Sequence, residues 1–292
     1  MVPPEITPPA QPPVPSPAPP PAASIGLLIS DVDGTLVTPD KQITPATEAA
    51  LARLQAAGIR FTLVSSRPPR AMRHLLQQLG VDTFSAGYNG GAIVDARGQV
   101  VESHCLRAED ARAAIAALQQ EPVETWVFSG DLWLVRDPHG AYVAHERHTL
   151  GYDCTPVDSF EPYIDGVHKI VAASSDAAAL ARLQAILNPR LAPHAQAALS
   201  QAYYLDVTHA RANKGDAVAA LARHIGVPLA QTAVIGDGAN DIPMFQRAGF
   251  AIAMGQAAPE VQAQATQVTA SNKEDGLATA IVKYLLPGAS NA

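Results

Sequence analysis

The feature that most constrains this fold is an alternation between short apolar runs and longer stretches with helical periodicity. Residues Ile25–Ile29 form one continuous apolar run, and Ile59–Val64 form a second. The helical stretch between them opens with a proline at Pro45 and ends at Gly58, and a further helical stretch after the second run ends at Gly80. Apolar strands that alternate with helices predict a parallel sheet with right-handed crossovers.

The same alternation returns near the end of the chain. Strands are expected at Thr232–Ile235 and Phe250–Met254, and helices at Lys214–Ile225, Asp241–Ala248 and Leu277–Leu286. We therefore expect one parallel-sheet domain built from two separate parts of the chain.

The middle of the chain has a different pattern. Short strand signals are linked by hairpin turns, and two helical patterns lie among them. The expected strands are Ala92–Val94, Val100–Glu102, Trp126–Phe128, Leu132–Val135 and Val167–Ala172, and the expected helices are Ala108–Leu118 and Asp176–Leu187. These patterns predict an α+β domain at residues 88–199, inserted into a core formed by residues 25–87 and 200–287.

Residues 1–24 have a composition of their own. They hold 11 of the 25 prolines, and Glu5 is their only charged side chain. Proline removes backbone donors and favours extended polyproline II, so we expect a disordered or semi-rigid arm. The arm lacks the basic start and the apolar run of a secretory signal, which favours a cytoplasmic protein.

Charge and cysteine content exclude several classes of function. The chain has 20 Lys and Arg against 27 Asp and Glu, a net charge of −7, and this balance argues against binding to nucleic acid or to an anionic membrane. Cys105 and Cys154 are far apart in sequence and have no CxxC motif, so we expect two buried thiols rather than a disulfide or a zinc site.

Four polar clusters follow the predicted core strands or open the helices beside them. They are Asp31–Thr35 (DVDGT), Ser65–Arg67 (SSR), Lys214–Gly215 (KG) and Gly236–Asp241 (GDGAND). Open parallel sheets place their ligands at the carboxyl ends of the strands, so we expect the clusters to meet at one site.

The residue types in these clusters indicate phosphate chemistry. Several carboxylates without thiols or grouped histidines suit a hard cation with oxygen ligands, and we expect Mg²⁺. A hydroxyl at a helix start, exposed amides and Lys214 suit a phosphate group. A carboxylate that faces a phosphate can attack it and form an aspartyl-phosphate, so the clusters predict phosphoryl transfer.

These motifs, in this order, resemble those of the haloacid dehalogenase superfamily. The insertion lies where class II caps lie, and its α+β pattern looks like the Cof-type, class IIB cap. Tyr88–Gly91 (YNGG) and His168–Ile170 (HKI) are further matches. The resemblance covers the chain from Ile25 to about Leu286 and implies an α/β fold with a Rossmann-like parallel-sheet core and an inserted α+β cap.

The resemblance also implies a role for each matched acidic residue. Asp31 would be the nucleophile and a Mg²⁺ ligand. Asp33 would protonate the leaving oxygen, later activate water, and offer its backbone carbonyl to the metal. Asp237 would be the third protein ligand, and Asp241 would orient the metal site or act as a plain helix cap. Nearby negative charge is expected to raise the pKa of Asp33, which must be protonated at the start.

A second group of matched residues would bind the substrate. Ser65 and Lys214 would hold the phosphoryl oxygens, with help from backbone amides, while Arg67 would act as a structural clamp or contact the substrate. The group comprises Val32, Ser65, Ser66, Arg67, Asn89, Lys214 and Asn240. Ser66 departs from the family, which usually has glycine there, and we expect an altered phosphate pocket rather than loss of activity.

The leading interpretation is a Mg²⁺-dependent phosphatase acting on small phosphorylated metabolites, such as sugar phosphates. The cap would contact the non-phosphate half of the substrate and leave little room for a folded phosphoprotein. Two alternatives stay open, a hexose phosphomutase of similar fold and a non-catalytic protein that binds a phosphorylated ligand. Steady release of phosphate distinguishes the phosphatase from both, and the oligomeric state is left open.

Overall fold

The computed structural model describes residues 25–286 and confirms the α/β fold class. Its strands, in chain order, are β1 Leu27–Ser30, β2 Arg60–Leu63, β3 Ser85–Gly87, β4 Ala92–Val94, β5 Val100–Ser103, β6 Glu124–Ser129, β7 Leu132–Val135, β8 Thr155–Pro156, β9 Val167–Ala173, β10 Ala195–Gln201, β11 Tyr204–His209, β12 Thr232–Gly236, β13 Phe250–Ala253 and β14 Gln267–Val268.

The helices surround these strands. They are α1 Pro45–Ala56, α2 Pro69–Gln78, α3 Ala108–Leu118, α4 Val143–Leu150, α5 Ala177–Leu191, α6 Lys214–Ile225, α7 Ile242–Arg247, α8 Pro259–Gln262 and α9 Gly276–Ala280, and α9 continues into a π-helical turn at Ile281–Leu285. The predicted start of α1 is confirmed, because the Thr44 hydroxyl accepts a hydrogen bond from the Thr47 amide at 3.2 Å.

The core is a five-stranded parallel sheet with the order β14-β13-β12-β1-β2. Successive residues of β1 face opposite sides of it. Leu28 packs in one apolar cluster with Leu51 and Leu54 of α1, whereas Leu27 packs in another with Val218 and Leu221 of α6. All six side chains are buried, and each contributes about 1.5–3 kcal/mol by leaving water. The continuous apolar runs therefore form strands that are covered on both faces, as predicted.

The second unit, which we call the cap, is built on a six-stranded sheet with the order β10-β11-β9-β6-β7-β8. Its pairs are antiparallel except for β7 with β8. One face packs against α3 and α5 through an apolar cluster that includes Ile170 and Leu205. The opposite face, which carries Phe128 and Tyr204, packs in a cluster that also contains Ala71 and Tyr88. The cap sheet therefore turns one face toward the core.

The inserted unit differs in extent from the 88–199 range expected from sequence. Strand β11 belongs to the cap sheet, so that sheet continues to His209. Strands β3, β4 and β5 form a separate three-stranded sheet, and Ile93 packs in the cluster of Leu27 and Val218. We propose that the chain crosses into the cap near residue 104 and returns near residue 210.

Other sequence expectations have different outcomes. Cys105 and Cys154 are free thiols, as predicted, but both are half-buried rather than fully buried. No helix within residues 25–286 has the length and apolarity needed to cross a membrane. The predicted proline-rich arm at residues 1–24 lies outside the described residues, as does residue 287.

Candidate active site

The four polar clusters meet at the carboxyl ends of β1, β2 and β12. Asp31 follows β1, and its amide donates to the carbonyl of Ile235 in β12 at 3.0 Å. Asp237 follows β12, and Ser65 follows β2. Parallel pairing of β1 with both neighbours places these strand ends side by side, as the sequence predicted.

Lys214 is the only lysine among these residues and lies at the centre of the site. Its Nζ is 2.6 Å from Asp31 Oδ1 and 2.5 Å from Asp241 Oδ1, and its side chain is 1% exposed. Lys214 is the first residue of α6, whose amino terminus is fixed by the Asn213 side chain accepting from the Asp216 amide at 2.9 Å. The sequence that starts this helix therefore sets the position of the lysine.

Three carboxylates lie close together beside this lysine. One oxygen each from Asp31, Asp237 and Asp241 lies within 4.8 Å of the others. Burial, together with Asp241 and Asp237, raises the pKa of Asp31 to about 8, although Lys214 lowers it. Burial and Asp241 likewise raise the pKa of Asp237 to about 6. A hard divalent cation would relieve this crowding, so the donor set fits Mg²⁺.

Asp241 is buried and holds the loop that carries Asp237. Its Oδ2 accepts from the amides of Asp237 and Gly238, both at 2.8 Å, while its Oδ1 meets Lys214. Asp241 therefore orients the loop that carries Asp237, and its side chain makes no capping hydrogen bond to α7. Its role in orienting a metal stays a prediction.

Gly34 allows Asp237 to approach the β1 loop. Its φ is +82°, and a Cβ there would lie 2.2 Å from Asp237 Oδ2. The carboxylate is held from two further sides, by the Thr35 hydroxyl at 3.3 Å and by the Gln256 amide at 3.3 Å. Only glycine satisfies both the backbone angle and the contact.

The pKa of Asp33 shifts in the opposite direction from that of Asp31. Arg67 donates to both of its oxygens, at 2.7 and 2.6 Å, and Lys41 Nζ lies 2.6 Å from Oδ1. Although burial opposes ionisation, Arg67 and Lys41 lower the pKa of Asp33 to about 2. The expectation of a raised pKa is therefore wrong, because two cations and not the nearby carboxylates dominate around this side chain.

The side chain of Asp33 also lies outside the carboxylate cluster, so the predicted metal contact through its backbone carbonyl stays a prediction. Arg67, which is 4% exposed, acts here as a clamp on Asp33. Lys41 was not among the residues selected from sequence. It sits in a loop with a left-handed backbone, φ 60°, and no motif pointed to it.

The predicted phosphate-binding residues line the turns after β1 and β2. The Ser65 hydroxyl accepts from the Arg67 amide at 3.1 Å, and Val32 is fully buried, with its carbonyl accepting three turn amides. Ser66 is not among the described residues with positive φ, so serine fits this turn without backbone strain.

Asn89 and Asn240 meet at the edge of the site. The Asn240 side-chain amide donates to Asn89 Oδ1 at 3.4 Å. Tyr88 and Asn89 have φ of 53° and 56°, and the next residue, Gly90, has φ of 100°. A Cβ on Gly90 would lie 2.8 Å from the Cβ of Ala217, so glycine lets this turn pack against α6.

The cap adds residues above the site that no sequence argument selected as site residues. Lys169 Nζ contacts the Ser66 carbonyl at 3.4 Å and Asp206 at 3.5 Å, and Glu146 of α4 lines the same cleft as Asp33. Lys169 belongs to the matched HKI motif, so the sequence singled it out but did not indicate its role. The α4 segment has no apolar stripe and was not predicted as a helix, so nothing in the sequence pointed to Glu146.

Comparison with known proteins agrees with this geometry. A family model for haloacid dehalogenase-like hydrolases matches residues 28–281. The chain is 30% identical over 235 residues to an HMP-PP phosphatase of Cronobacter sakazakii, covering 80% of this chain and 85% of that protein.

Solved structures show the same likeness. A haloacid dehalogenase-like hydrolase from Bacteroides thetaiotaomicron superimposes with a TM-score of 0.81 at 27% identity, covering 88% of this chain and 98% of that one. A subclass IIB sugar phosphatase superimposes with a TM-score of 0.77 at 26% identity, covering 87% and 97%. The chain therefore belongs to the haloacid dehalogenase-like hydrolases and is a phosphatase of their Cof-type branch with a subclass IIB cap.

Proposed function

We propose that this phosphatase uses Mg²⁺ and hydrolyses small phosphorylated metabolites, such as sugar phosphates, through an aspartyl-phosphate on Asp31. The observation that carries this proposal is the buried Asp31 carboxylate, held at 2.6 Å by Lys214 beside two further carboxylates. A carboxylate that is held by a lysine at the carboxyl end of a parallel strand is well placed to attack a phosphate group.

The metal would be held by Asp31 and Asp237, with Asp241 orienting the site and the Asp33 carbonyl as a further ligand. When bound, Mg²⁺ supplies positive charge that offsets the charges of the nucleophile and the phosphate. Lys214 supplies part of the same charge, because its Nζ is already in contact with Asp31.

The reaction proceeds in two steps at the phosphorus. In the first, an Asp31 oxygen forms a bond to phosphorus as the bond to the leaving oxygen breaks, and Asp33 gives that oxygen a proton. In the second, Asp33 accepts a proton from water, whose oxygen attacks phosphorus and releases inorganic phosphate and free Asp31.

The ion pairs of Asp33 set a condition on this sequence. Arg67 and Lys41 hold Asp33 ionised, with a pKa of about 2. Its acid form therefore requires that the side chain leave these two cations when substrate binds. The change is local, because the Asp33 side chain is 27% exposed and lies at the edge of the cleft.

The phosphate would be bound by backbone amides of the β1 and β2 turns and by two side chains. Lys214 and the Ser65 hydroxyl would contact the phosphoryl oxygens, with the amides of Val32 and Ser66 and the Asn240 side chain assisting. The cleft beneath the cap has a volume of about 100 Å³, which is too small to admit a folded protein segment.

The test is phosphate release from a panel of phosphorylated metabolites, with and without Mg²⁺. We expect turnover by the wild-type protein only with Mg²⁺ and none by Asp31→Asn, whereas Asp82→Asn, an exposed carboxylate away from the site, should retain wild-type rates. Isomerisation without phosphate release would favour a mutase, and binding without either reaction would favour a non-catalytic role. Either result would overturn the proposal.

A further inference from the structure

A small cleft separates the catalytic core from the inner face of the cap sheet. Its volume is about 100 Å³, and its lining includes Asp33 and Arg67 from the core and Glu146, Lys169 and Tyr204 from the cap. Space of this size holds several water molecules or the hydroxyl groups of a ligand. Since Asp33 is the residue that would protonate the leaving oxygen, the cleft lies where the leaving group of a substrate would extend.

Glu146 is the first unusual group in this cleft. It is 7% exposed, yet it forms no ion pair within residues 25–286. Carboxylates this deeply buried are normally paired or hydrogen-bonded, because losing water is costly. Burial accordingly raises the pKa of Glu146, with Asp206 and Asp33 adding to the effect and Lys169 opposing it. Glu146 therefore faces the cleft with capacity to accept hydrogen bonds.

Lys169 is the second unusual group. It is 7% exposed, and its Nζ has only long contacts, at 3.4 Å to the Ser66 carbonyl and 3.5 Å to Asp206. An ammonium group has three donors, so at least one is available to a ligand. Asp206 is buried behind it, and neither of its carboxylate oxygens has a hydrogen-bond partner among the described residues, so its negative charge acts mainly to hold Lys169.

Tyr204 adds a third polar group to the same lining. It is 8% exposed, and its hydroxyl lies against the Glu146 carboxylate but makes no hydrogen bond of normal geometry within the described part of the chain. The hydroxyl can therefore orient Glu146 at the cleft, and a ligand hydroxyl there would complete the hydrogen bonding of both side chains. An acceptor, a cation and a hydroxyl thus surround one small space.

The signs of these groups select the chemistry of the ligand. A ligand ammonium would pair with Glu146 but meet the charge of Lys169, and a ligand carboxylate would have the opposite conflict. A hydroxyl group donates to Glu146 and accepts from Lys169 at the same time. We propose that Glu146 and Lys169 form a subsite for hydroxyl groups of the leaving group, so that the enzyme prefers polyhydroxylated phosphate monoesters over those bearing an amine; this rests on the proposed phosphatase function.

The test compares kcat/KM for glucose 6-phosphate, glucosamine 6-phosphate and p-nitrophenyl phosphate, the last of which lacks hydroxyl groups on its leaving group. The wild-type protein should prefer glucose 6-phosphate to its amino analogue. Glu146→Ala should lower kcat/KM for glucose 6-phosphate by about 10- to 100-fold, as expected for a lost hydrogen bond to a charged group, and change p-nitrophenyl phosphate less than twofold. The kcat/KM of Glu146→Gln for glucose 6-phosphate should lie between those of the wild-type protein and Glu146→Ala, because the glutamine amide oxygen still accepts a hydrogen bond.

Two further variants serve as a control and as a second test of the subsite. Glu161→Ala removes an exposed cap carboxylate paired with Arg112 and should behave as wild type. Tyr204→Phe keeps the ring packing and removes only the hydroxyl, so it tests the same subsite if Glu146→Ala fails to fold, with a smaller selective loss expected.

The outcomes separate the two proposals. Equal losses for all three substrates in the Glu146 and Tyr204 variants, or a wild-type preference for the amine, overturn the subsite while leaving the phosphatase function intact. Absence of turnover of every substrate, p-nitrophenyl phosphate included, overturns the proposed function and the subsite with it.

Discussion

Replacing Lys214 with methionine should destabilise the protein strongly in the absence of divalent cations. Lys214 is 1% exposed and lies between Asp31 and Asp241, whose side chains are 8% and 0% exposed. Methionine preserves most of the side-chain volume but leaves three crowded carboxylates without their neutralising charge. Breaking a buried ion pair on one side costs about 3–5 kcal/mol, which corresponds to a fall in Tm on the order of 10 °C.

The assay is thermal and urea unfolding in a chelating buffer and then in Mg²⁺. The cation should restore part of the lost stability of Lys214→Met, and a larger part than it adds to the wild-type protein, because positive charge returns to the cluster. Lys273→Met removes an exposed lysine with no ion pair among the described residues and should leave stability unchanged.

A double variant makes this reasoning refutable. Asp31→Asn combined with Lys214→Met removes one charge of each sign and should be more stable than Lys214→Met alone. The electrostatic account is refuted if Lys214→Met is as stable as the wild type without divalent cations, or if the second substitution recovers nothing.

Two more predictions concern the residues around Asp33 and Asp237. Arg67 and Lys41 lower the pKa of Asp33 to about 2, so its ionised form contributes about 2 kcal/mol at neutral pH, which is lost as pH falls from about 4 through 2. Arg67→Met should therefore lower the free energy of urea unfolding more at pH 7 than at pH 3, and an equal difference at both pH values would contradict this. Gly34→Ala places a Cβ 2.2 Å from Asp237 Oδ2, so it should displace this carboxylate and weaken Mg²⁺ binding at least tenfold. Calorimetry measures the affinity, and the circular dichroism spectrum should stay native. An unchanged affinity would contradict the claim that Asp237 needs glycine at position 34.

Much of the core could be predicted because its strands are covered on both faces. Burial on both sides requires continuous apolar runs such as Ile25–Ile29, and such runs are visible without knowledge of the fold. The cap was predicted less completely. Helix α4 (VAHERHTL) has no apolar stripe, and in β10 the residues Ala198 and Leu199 are both exposed, so neither gave a clear period.

The site shows the same division between pattern and packing. Asp31, Asp237 and Lys214 come together because strand ends and helix starts meet at one edge of a parallel sheet, which is a property of topology. The pairing of Asp33 with Arg67 and Lys41 depends instead on side-chain rotamers and on a loop that carries no motif. The nearby carboxylates alone therefore predicted the wrong direction for the pKa shift of Asp33. Contacts between cap and core were hidden for the same reason.

The central claim is that Asp31 carries the phosphoryl group during turnover. The most direct measurement is acid quenching of the enzyme with substrate and Mg²⁺, followed by borohydride reduction and mass spectrometry of the peptide that contains Asp31. We expect reduction of a phosphoaspartate to homoserine at position 31, and no such product at Asp33 or in Asp31→Asn. A chain that releases phosphate with no modification at Asp31, or with the modification at another aspartate, would contradict the mechanism.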